Sequence, residues 1–137
     1  MGCNPKLLIL AILAIACSGL IVPIAFAQNV QLQQCIPLES GTVQLGSTFT
    51  IYYYLSAGAQ VGLGATMTNN ANGQAYYDRS GDTMSNGDGP LGTRTFDTRA
   101  AGLVHGWYTL NCAIWSGMPG QSQWLGSYQV QQIIFVA

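Results

Sequence analysis

The chain has 137 residues, of which only 7% are charged, and its formal net charge is −1. Because an ordinary soluble domain carries about 25% charged residues, the polar surface of this protein must come from uncharged side chains. After residue 27 the chain contains three Arg and no Lys, which excludes a polybasic membrane patch and an electrostatic footprint for nucleic acid.

Residues 1–27 have the pattern of a secretory signal peptide. Lys6 is followed by an apolar run over residues 7–26, and Ala25-Phe26-Ala27 ends the segment. A basic start, an apolar stretch and a small-x-small end are typical of such signals. The pattern predicts cleavage between Ala27 and Gln28, and therefore a protein that is secreted or held at the cell surface.

Two alternatives to cleavage stay open. The run over residues 7–26 is about long enough to span a bilayer as an uncleaved anchor, although Pro23 weakens a spanning helix. Cys17 follows a small residue, as in a bacterial lipobox, and is an alternative site of lipidation. We expect membrane contact only through residues 7–26, if they are retained. The remainder, residues 28–137, is predicted to be one domain.

Apolar residues recur with a period of two after Gln28, which predicts an all-β domain. The predicted strands are residues 30–36, 47–56, 59–68, 74–78, 93–99, 107–115 and 124–136. Asn72-Gly73 is a strong hairpin signal, residues 79–92 are predicted to be a loop, and residues 116–122 a turn. Seven strands at this spacing, with no convincing helix, favour a β-sandwich.

Cys35 and Cys112 are the cysteines that remain after cleavage. In an exported domain two cysteines most often pair, and the alternation of strand 107–115 places Cys112 on its inward face. Closing this loop would stabilise the fold by about 4.5 kcal/mol in the chain-entropy description. We therefore predict a Cys35–Cys112 disulfide, with two buried free thiols as the alternative.

Several segments resemble immunoglobulin-like β-sandwich domains of secreted bacterial or archaeal proteins. They are Val61-Gly62-Leu63-Gly64-Ala65, Arg94-Thr95-Phe96, Gly106-Trp107-Tyr108-Thr109-Leu110 and Ala113-Ile114-Trp115. The Gly-x-Tyr-x-Leu pattern is similar to the start of the sixth strand of such domains, where a tyrosine corner lies. Unlike antibody domains, the chain has Tyr108 four residues before Cys112, and its other cysteine falls on the first predicted strand. The resemblance implies a seven-stranded immunoglobulin-like fold and no particular activity.

Catalytic chemistry has little support in the sequence. The acidic residues after the signal are Glu39, Asp78, Asp82, Asp88 and Asp97. A glycosidase needs two carboxylates held across a cleft, whereas three of these lie in or beside one predicted loop. The single histidine, His105, has no recognisable base and orienting partner, and neither Gly-x-Ser-x-Gly nor His-Glu-x-x-His occurs. We predict no catalytic residues and no enzyme.

The same loop raises the question of calcium. Asp78, Asp82 and Asp88 offer hard oxygen ligands close together in sequence, as calcium prefers. The spacing is not that of an EF-hand, because Thr83 stands in place of the turn glycine. A solvated polar loop is the simpler interpretation, and no other cofactor is expected.

Two tryptophans form the candidate binding site. Trp107 and Trp115 share the strand face opposite Cys112, and the neighbouring strand is expected to present Gly62 and Gly64 there. Exposed indoles over a glycine backbone would suit stacking on a sugar or a protein partner. The alternative is that the indoles only cover that backbone.

The first and last predicted strands echo each other. Residues 30–36 and 128–134 both read apolar-Gln-apolar-Gln-Gln-apolar-Ile, and the double Gln predicts a bulge in each. Neither strand contains a charged residue, although native edge strands are usually guarded by charge. The sequence therefore favours a non-enzymatic secreted or cell-surface structural or adhesion protein that self-assembles through edge strands or contacts a surface protein or glycan. The alternative is a small carbohydrate-binding module using Trp107 and Trp115.

Overall fold

The computed structural model describes residues 29–38 and 41–137, with the backbone alone at residues 132 and 133. The predicted signal or anchor, the cleavage position and Cys17 lie outside the described residues, as does Glu39. Among the described residues, no helix is long and apolar enough to cross a membrane.

The described residues form nine strands in two sheets. In chain order they are β1 (Leu32–Pro37), β2 (Thr42–Val43), β3 (Thr48–Leu55), β4 (Gly62–Asn69), β5 (Ala75–Tyr77), β6 (Thr83–Met84), β7 (Leu91–Asp97), β8 (Gly106–Trp115) and β9 (Trp124–Val136). The larger sheet has the order β2-β9-β8-β4-β5, and β6 also pairs with β4. The smaller sheet has the order β1-β3-β7. All neighbours are antiparallel except β2 and β9, which run parallel.

The all-β prediction is confirmed, and each of the seven predicted strands has a counterpart. The predicted number of strands is too low, because the two-residue strands β2 and β6 are too short to show an alternating pattern. The prediction of a plain loop over residues 79–92 is wrong in detail, because this segment contains a 3-10 turn (Arg79–Gly81), β6 and the start of β7. A carboxylate begins the 3-10 turn, since Asp78 Oδ1 accepts a hydrogen bond from the Ser80 N–H over 3.0 Å.

The expectation of no helix also needs correction. A four-residue helix, α1 (Thr98–Ala101), follows β7 directly. Asp97 caps it by accepting hydrogen bonds from the N–H groups of Arg99 and Ala100, and Gly102 ends it in a left-handed conformation with φ of 78°. The strand predicted over residues 93–99 therefore ends two residues early, at Asp97.

The period-two pattern produces one core between the two sheets. Side chains facing inward from both sheets are almost completely buried; the largest are Phe49, Tyr53, Phe96, Leu63, Met67, Tyr108, Leu110 and Ile114. Burial of a large apolar side chain stabilises a fold by about 1.5–3 kcal/mol. Because both sheets contribute to this cluster, the two layers pack as a β-sandwich.

One feature joins the two layers at β8, and a second holds the chain that enters this strand. Cys35 of β1 and Cys112 of β8 lie at disulfide-bonding distance, with Cα atoms 6.5 Å apart. Tyr108 Oη donates a hydrogen bond of 2.8 Å to the Val104 carbonyl and accepts one of 3.1 Å from the Val104 N–H. The tyrosine therefore holds the chain entering β8 against the body of the strand.

The turns and bulges match the sequence signals closely. Asn72-Gly73 lies in the connection between β4 and β5, where the Asn69 N–H donates to the Gln74 carbonyl over 2.8 Å. The pairing of β1 with β3 skips Gln33, and the pairing of β9 with β8 shifts between Gln129 and Ile133. Both double-Gln bulges predicted from the sequence are therefore confirmed.

We expect the paired substitution Cys35→Ala and Cys112→Ala to lower the free energy of unfolding by about 4.5 kcal/mol, since it releases a loop of 77 residues in the unfolded chain. Urea denaturation without reductant measures the loss. As a control, reductant should destabilise the wild-type protein to a similar extent and leave the double variant unchanged. A loss below about 1 kcal/mol would contradict a bridge that constrains the unfolded chain.

Candidate functional site

The guanidinium of Arg94 lies between the two sheets, fully buried. It extends from β7 of the smaller sheet and donates to the Leu63 carbonyl of β4 in the larger sheet over 3.3 Å. Its other hydrogen bonds reach the carbonyl of Asp78 at 2.8 Å, Asp82 Oδ1 at 2.9 Å and the carbonyl of Thr95 at 2.9 Å. Because its donors meet these acceptors, the buried charge is compensated and the segment over residues 78–84 is attached to both layers.

Asp78 is the second buried member of this cluster. Its Oδ2 lies 3.5 Å from Arg94 and accepts the backbone N–H of Asp97 over 2.6 Å, while its Oδ1 accepts two hydrogen bonds from Ser80. Gly81 closes the arrangement, since a side chain there would collide with the Thr95 carbonyl. The carboxylate of Asp78 therefore connects the 3-10 turn with β7 through these hydrogen bonds.

The same cluster suppresses ionisation of two tyrosines. Burial, together with the Asp82 carboxylate that accepts the Tyr77 hydroxyl over 3.1 Å, raises the pKa of Tyr77 to about 12. Burial also raises the pKa of Tyr53 far above its usual range, and its hydroxyl donates to the Gly64 carbonyl over 2.6 Å. For Asp82 itself, burial raises the pKa, although the Tyr77 hydroxyl and Arg94 act in the opposite direction.

The three aspartates considered for calcium are not gathered around one point. Asp78 and Asp82 face Arg94, and Asp88 is exposed in the following loop. Over the part of the chain that the structure describes, no group of three or more His, Cys, Asp or Glu side chains is placed to hold a metal ion. Calcium binding stays a prediction that this arrangement does not favour.

Trp115 lies at one end of the outer face of the larger sheet. A Cβ atom at Gly64 would meet Trp115 Nε1 at 3.3 Å and the Tyr77 hydroxyl at 2.9 Å. Gly62 is covered differently, by the carbonyl of Gly117 and the ring of Pro119. Both glycines are buried, and Trp115 is half-buried with an indole N–H that has no hydrogen-bond partner. The indole edge of Trp115 therefore covers the backbone of β4.

Trp107 occupies the other end of the same face and is far more accessible. Its side chain is 56% exposed, and its ring packs against Phe135 of β9 with centroids 4.8 Å apart. Beside it, the Thr109 hydroxyl donates to Asn70 Oδ1 over 2.8 Å. Trp107 thus offers an open indole with uncharged hydrogen-bonding groups nearby.

Sequence reasoning missed two further aromatic residues of this face, Trp124 and Phe135. Trp124 is 55% exposed and pairs with Trp115 across β8 and β9, whereas Phe135 pairs with Trp107. The alternation of β9 alone could not place Trp124, because a one-residue register shift between Trp124 and Gly126 reverses the alternation at that end of the strand. The shift between Gln129 and Ile133 is two residues and leaves the alternation unchanged. Only the register with β8 shows that the four rings share one face.

One side of the sandwich has strands without full partners. On the side away from β8, β9 pairs with β2 only at Phe135 and Val136, and β1 pairs with β3 alone among the described strands. The two lie side by side in different sheets, and Cys35 Sγ is 3.8 Å from the Tyr128 carbonyl oxygen. We call this side the open edge: β1 together with residues 124–134 of β9. It contains no charged residue.

No protein-family model matches this chain, and no curated protein matches it.

We expect Arg94→Met to lower the free energy of unfolding by about 3–5 kcal/mol, because it leaves Asp78 and Asp82 buried without their cation. Urea denaturation at neutral pH measures the effect. The matched control is Arg99→Met, which removes an exposed guanidinium and should change stability by less than about 0.5 kcal/mol. Equal effects of the two substitutions would contradict the structural role of Arg94.

We expect stability to fall as the pH rises through the window from about 10 to about 12. An unfolded tyrosine ionises near pH 10, whereas the folded protein keeps Tyr53 and Tyr77 protonated to higher pH. Their contribution is fully present below the unfolded pKa and is lost above it. Urea unfolding across this window, with tyrosinate absorbance recorded in parallel, tests the prediction.

Tyr77→Phe supplies the comparison for this pH series, since it should reduce the slope of stability against pH. An unchanged slope in that variant, or ionisation of every tyrosine in one step near pH 10, would contradict the assignment.

Proposed function

We propose that this chain is a non-enzymatic, secreted or cell-surface structural or adhesion protein with an immunoglobulin-like domain that self-assembles through its open edge. The observation that carries the proposal concerns the side of β9 away from β8. From residue 124 to residue 134 this side is uncharged and has no strand partner within residues 29–38 and 41–137. Free backbone groups along such an edge can pair with an added strand, as in β-augmentation.

The strand order supports the immunoglobulin-like part of this proposal. After β1 the chain crosses from the smaller sheet to the larger one, where the short strand β2 pairs in parallel with the last strand, β9. In the larger sheet β8 lies between β9 and β4. The hydrogen bonds of Tyr108 to Val104 form a corner at the start of β8. Greek-key sandwiches of this class carry a tyrosine at the corresponding place.

The disulfide restricts how copies can associate. Cys35 lies in the middle of β1 and is attached to Cys112 of its own chain. Donation of the whole of β1 to a neighbour would require breaking that bridge, whereas edge-to-edge pairing leaves it intact. We therefore favour addition of one copy's edge to another's over strand exchange.

Low charge favours close approach of the copies. Without Lys6 the exported part has three Arg and five acidic residues, and its net charge of −2 produces little repulsion between copies. Exposed amides of Gln34 on β1 and Gln129 on β9 supply side-chain donors and acceptors beside the free backbone. Stacked glutamines on adjacent strands form hydrogen-bonded ladders.

We expect the exported protein to form oligomers at high concentration and low salt. Gln34→Lys or Gln129→Lys should shift the protein toward monomer, because a charge on an edge strand opposes pairing. Light scattering measures the molar mass. Ala71→Lys is the matched control, since it adds the same charge on an exposed turn away from the open edge and should leave assembly intact. A monomeric wild-type protein under these conditions would contradict the proposal that the protein self-assembles.

Carbohydrate binding is the second candidate function. It is favoured by the indole of Trp107, which is 56% exposed although it packs against Phe135. Flat aromatic surfaces stack on the apolar faces of sugar rings. Trp115, which covers Gly64, contributes less area than the sequence suggested.

A further inference from the structure

Aromatic rings mark both ends of the outer face of the larger sheet. At one end Trp107 of β8 packs against Phe135 of β9, and at the other Trp115 of β8 pairs with Trp124 of β9. Eight residues separate the two tryptophans of β8, so the two ends are about 26 Å apart along the strand.

Uncharged polar side chains occupy the middle rows between these ends, and Ala113 of β8 lies between them and Trp115. Asn111 is exposed at the centre of β8, with Thr66 of β4 on one side and Gln129 of β9 on the other. The next row places Thr109 beside Thr68 of β4. Hydroxyl and amide groups of this kind can both donate and accept hydrogen bonds.

Charge is confined to one corner of this face. Arg79 lies over the ring of Tyr77 at 5.0 Å, and Asp82 accepts the hydroxyl of the same tyrosine. The central rows, formed by β4, β8 and β9, contain no acidic or basic side chain. A neutral ligand therefore matches the surface better than an acidic or basic one.

We propose that this face binds an extended, uncharged polysaccharide. The platform consists of Trp107, Thr109, Asn111 and Trp115 of β8 with Trp124 and Phe135 of β9. The aromatic ends stack on sugar rings, and the central amide and hydroxyl groups bond to sugar hydroxyls. This inference rests on the second candidate function, carbohydrate binding, and assigns its ligand class and its site.

The spacing argues for a long chain. A single sugar ring reaches only one of the two aromatic ends, because about 26 Å separates them. A polysaccharide lying along β8 contacts both ends at once, and the second contact then forms at high effective concentration. Affinity should therefore rise with chain length until an oligosaccharide spans the platform.

The test uses the full chain recovered from its native host and a panel of polymers: cellulose, chitin, xylan and mannan as neutral probes, alginate and polygalacturonate as acidic ones. Binding is measured by depletion from solution or by affinity electrophoresis. We expect at least one neutral polymer to bind, and Trp107→Ala and Trp124→Ala each to weaken binding about tenfold. Asn111→Ala should weaken it less, since it removes one hydrogen-bonding amide.

Leu91→Ala is the matched control. Leu91 is a similarly exposed apolar residue on the outer face of the smaller sheet, and its removal should leave binding unchanged. Thermal unfolding of each variant checks that the fold is retained, which the exposure of Trp107 and Trp124 leads us to expect.

The outcomes separate the site from the function. If both tryptophan variants still bind a neutral polymer, the proposed binding site is wrong, although carbohydrate binding itself is retained. Binding to acidic polymers alone would overturn the uncharged ligand class. Loss in only one tryptophan variant would overturn the extended chain, and no binding to any polymer would remove both the platform and the second candidate function.

Discussion

The buried guanidinium of Arg94 is the interaction on which the arrangement of the two sheets depends. It connects β7 with the Leu63 carbonyl of β4 and with Asp78 and Asp82 in the segment between β5 and β6. A buried charge without partners is very unfavourable. Arg94 therefore needs these acceptors to stay buried, and the Asp78 and Asp82 carboxylates need Arg94. The ionic cluster thereby determines the path of residues 78–84, and with it the position of Tyr77 beside Trp115 and Gly64.

On the opposite side of the sandwich, the two sheets are joined by a disulfide and not by an ionic cluster. The Cys35–Cys112 pair joins the layers where β1 lies beside β9, two strands that do not pair with each other. Here the side of β9 away from β8 has no strand partner among the described residues over most of its length. The bulge between Gln129 and Ile133 and the neighbouring β1 nevertheless interrupt a flat edge. Bulges of this kind limit uncontrolled pairing. Assembly at this side would be restricted to an arrangement that accommodates both features.

Low charge unites the two proposed activities. The described charged residues lie mainly in the Arg94 cluster, around α1 and in loops, so that the open edge and the outer face of the larger sheet are polar without being ionic. An uncharged edge permits copies to approach each other, and an uncharged face permits contact with neutral ligands. Because the edge and the face share β9, a protein assembled edge to edge would extend the same polar face from one copy to the next.

The sequence by itself determined the all-β class, most strand positions, the hairpin at Asn72-Gly73, the bulges and the pairing of Cys35 with Cys112. These follow from local rules, namely the alternation of side chains along a strand, turn chemistry and the pairing of two cysteines in an exported domain. The 3-10 turn and α1 were not predicted because they have only three and four residues, too few to show a helical period. Only the tertiary structure decided that Asp78 and Asp82 meet Arg94, that Trp115 covers Gly64, and that Trp124 and Phe135 join the platform. Such contacts depend on register between strands distant in sequence, which no local pattern specifies.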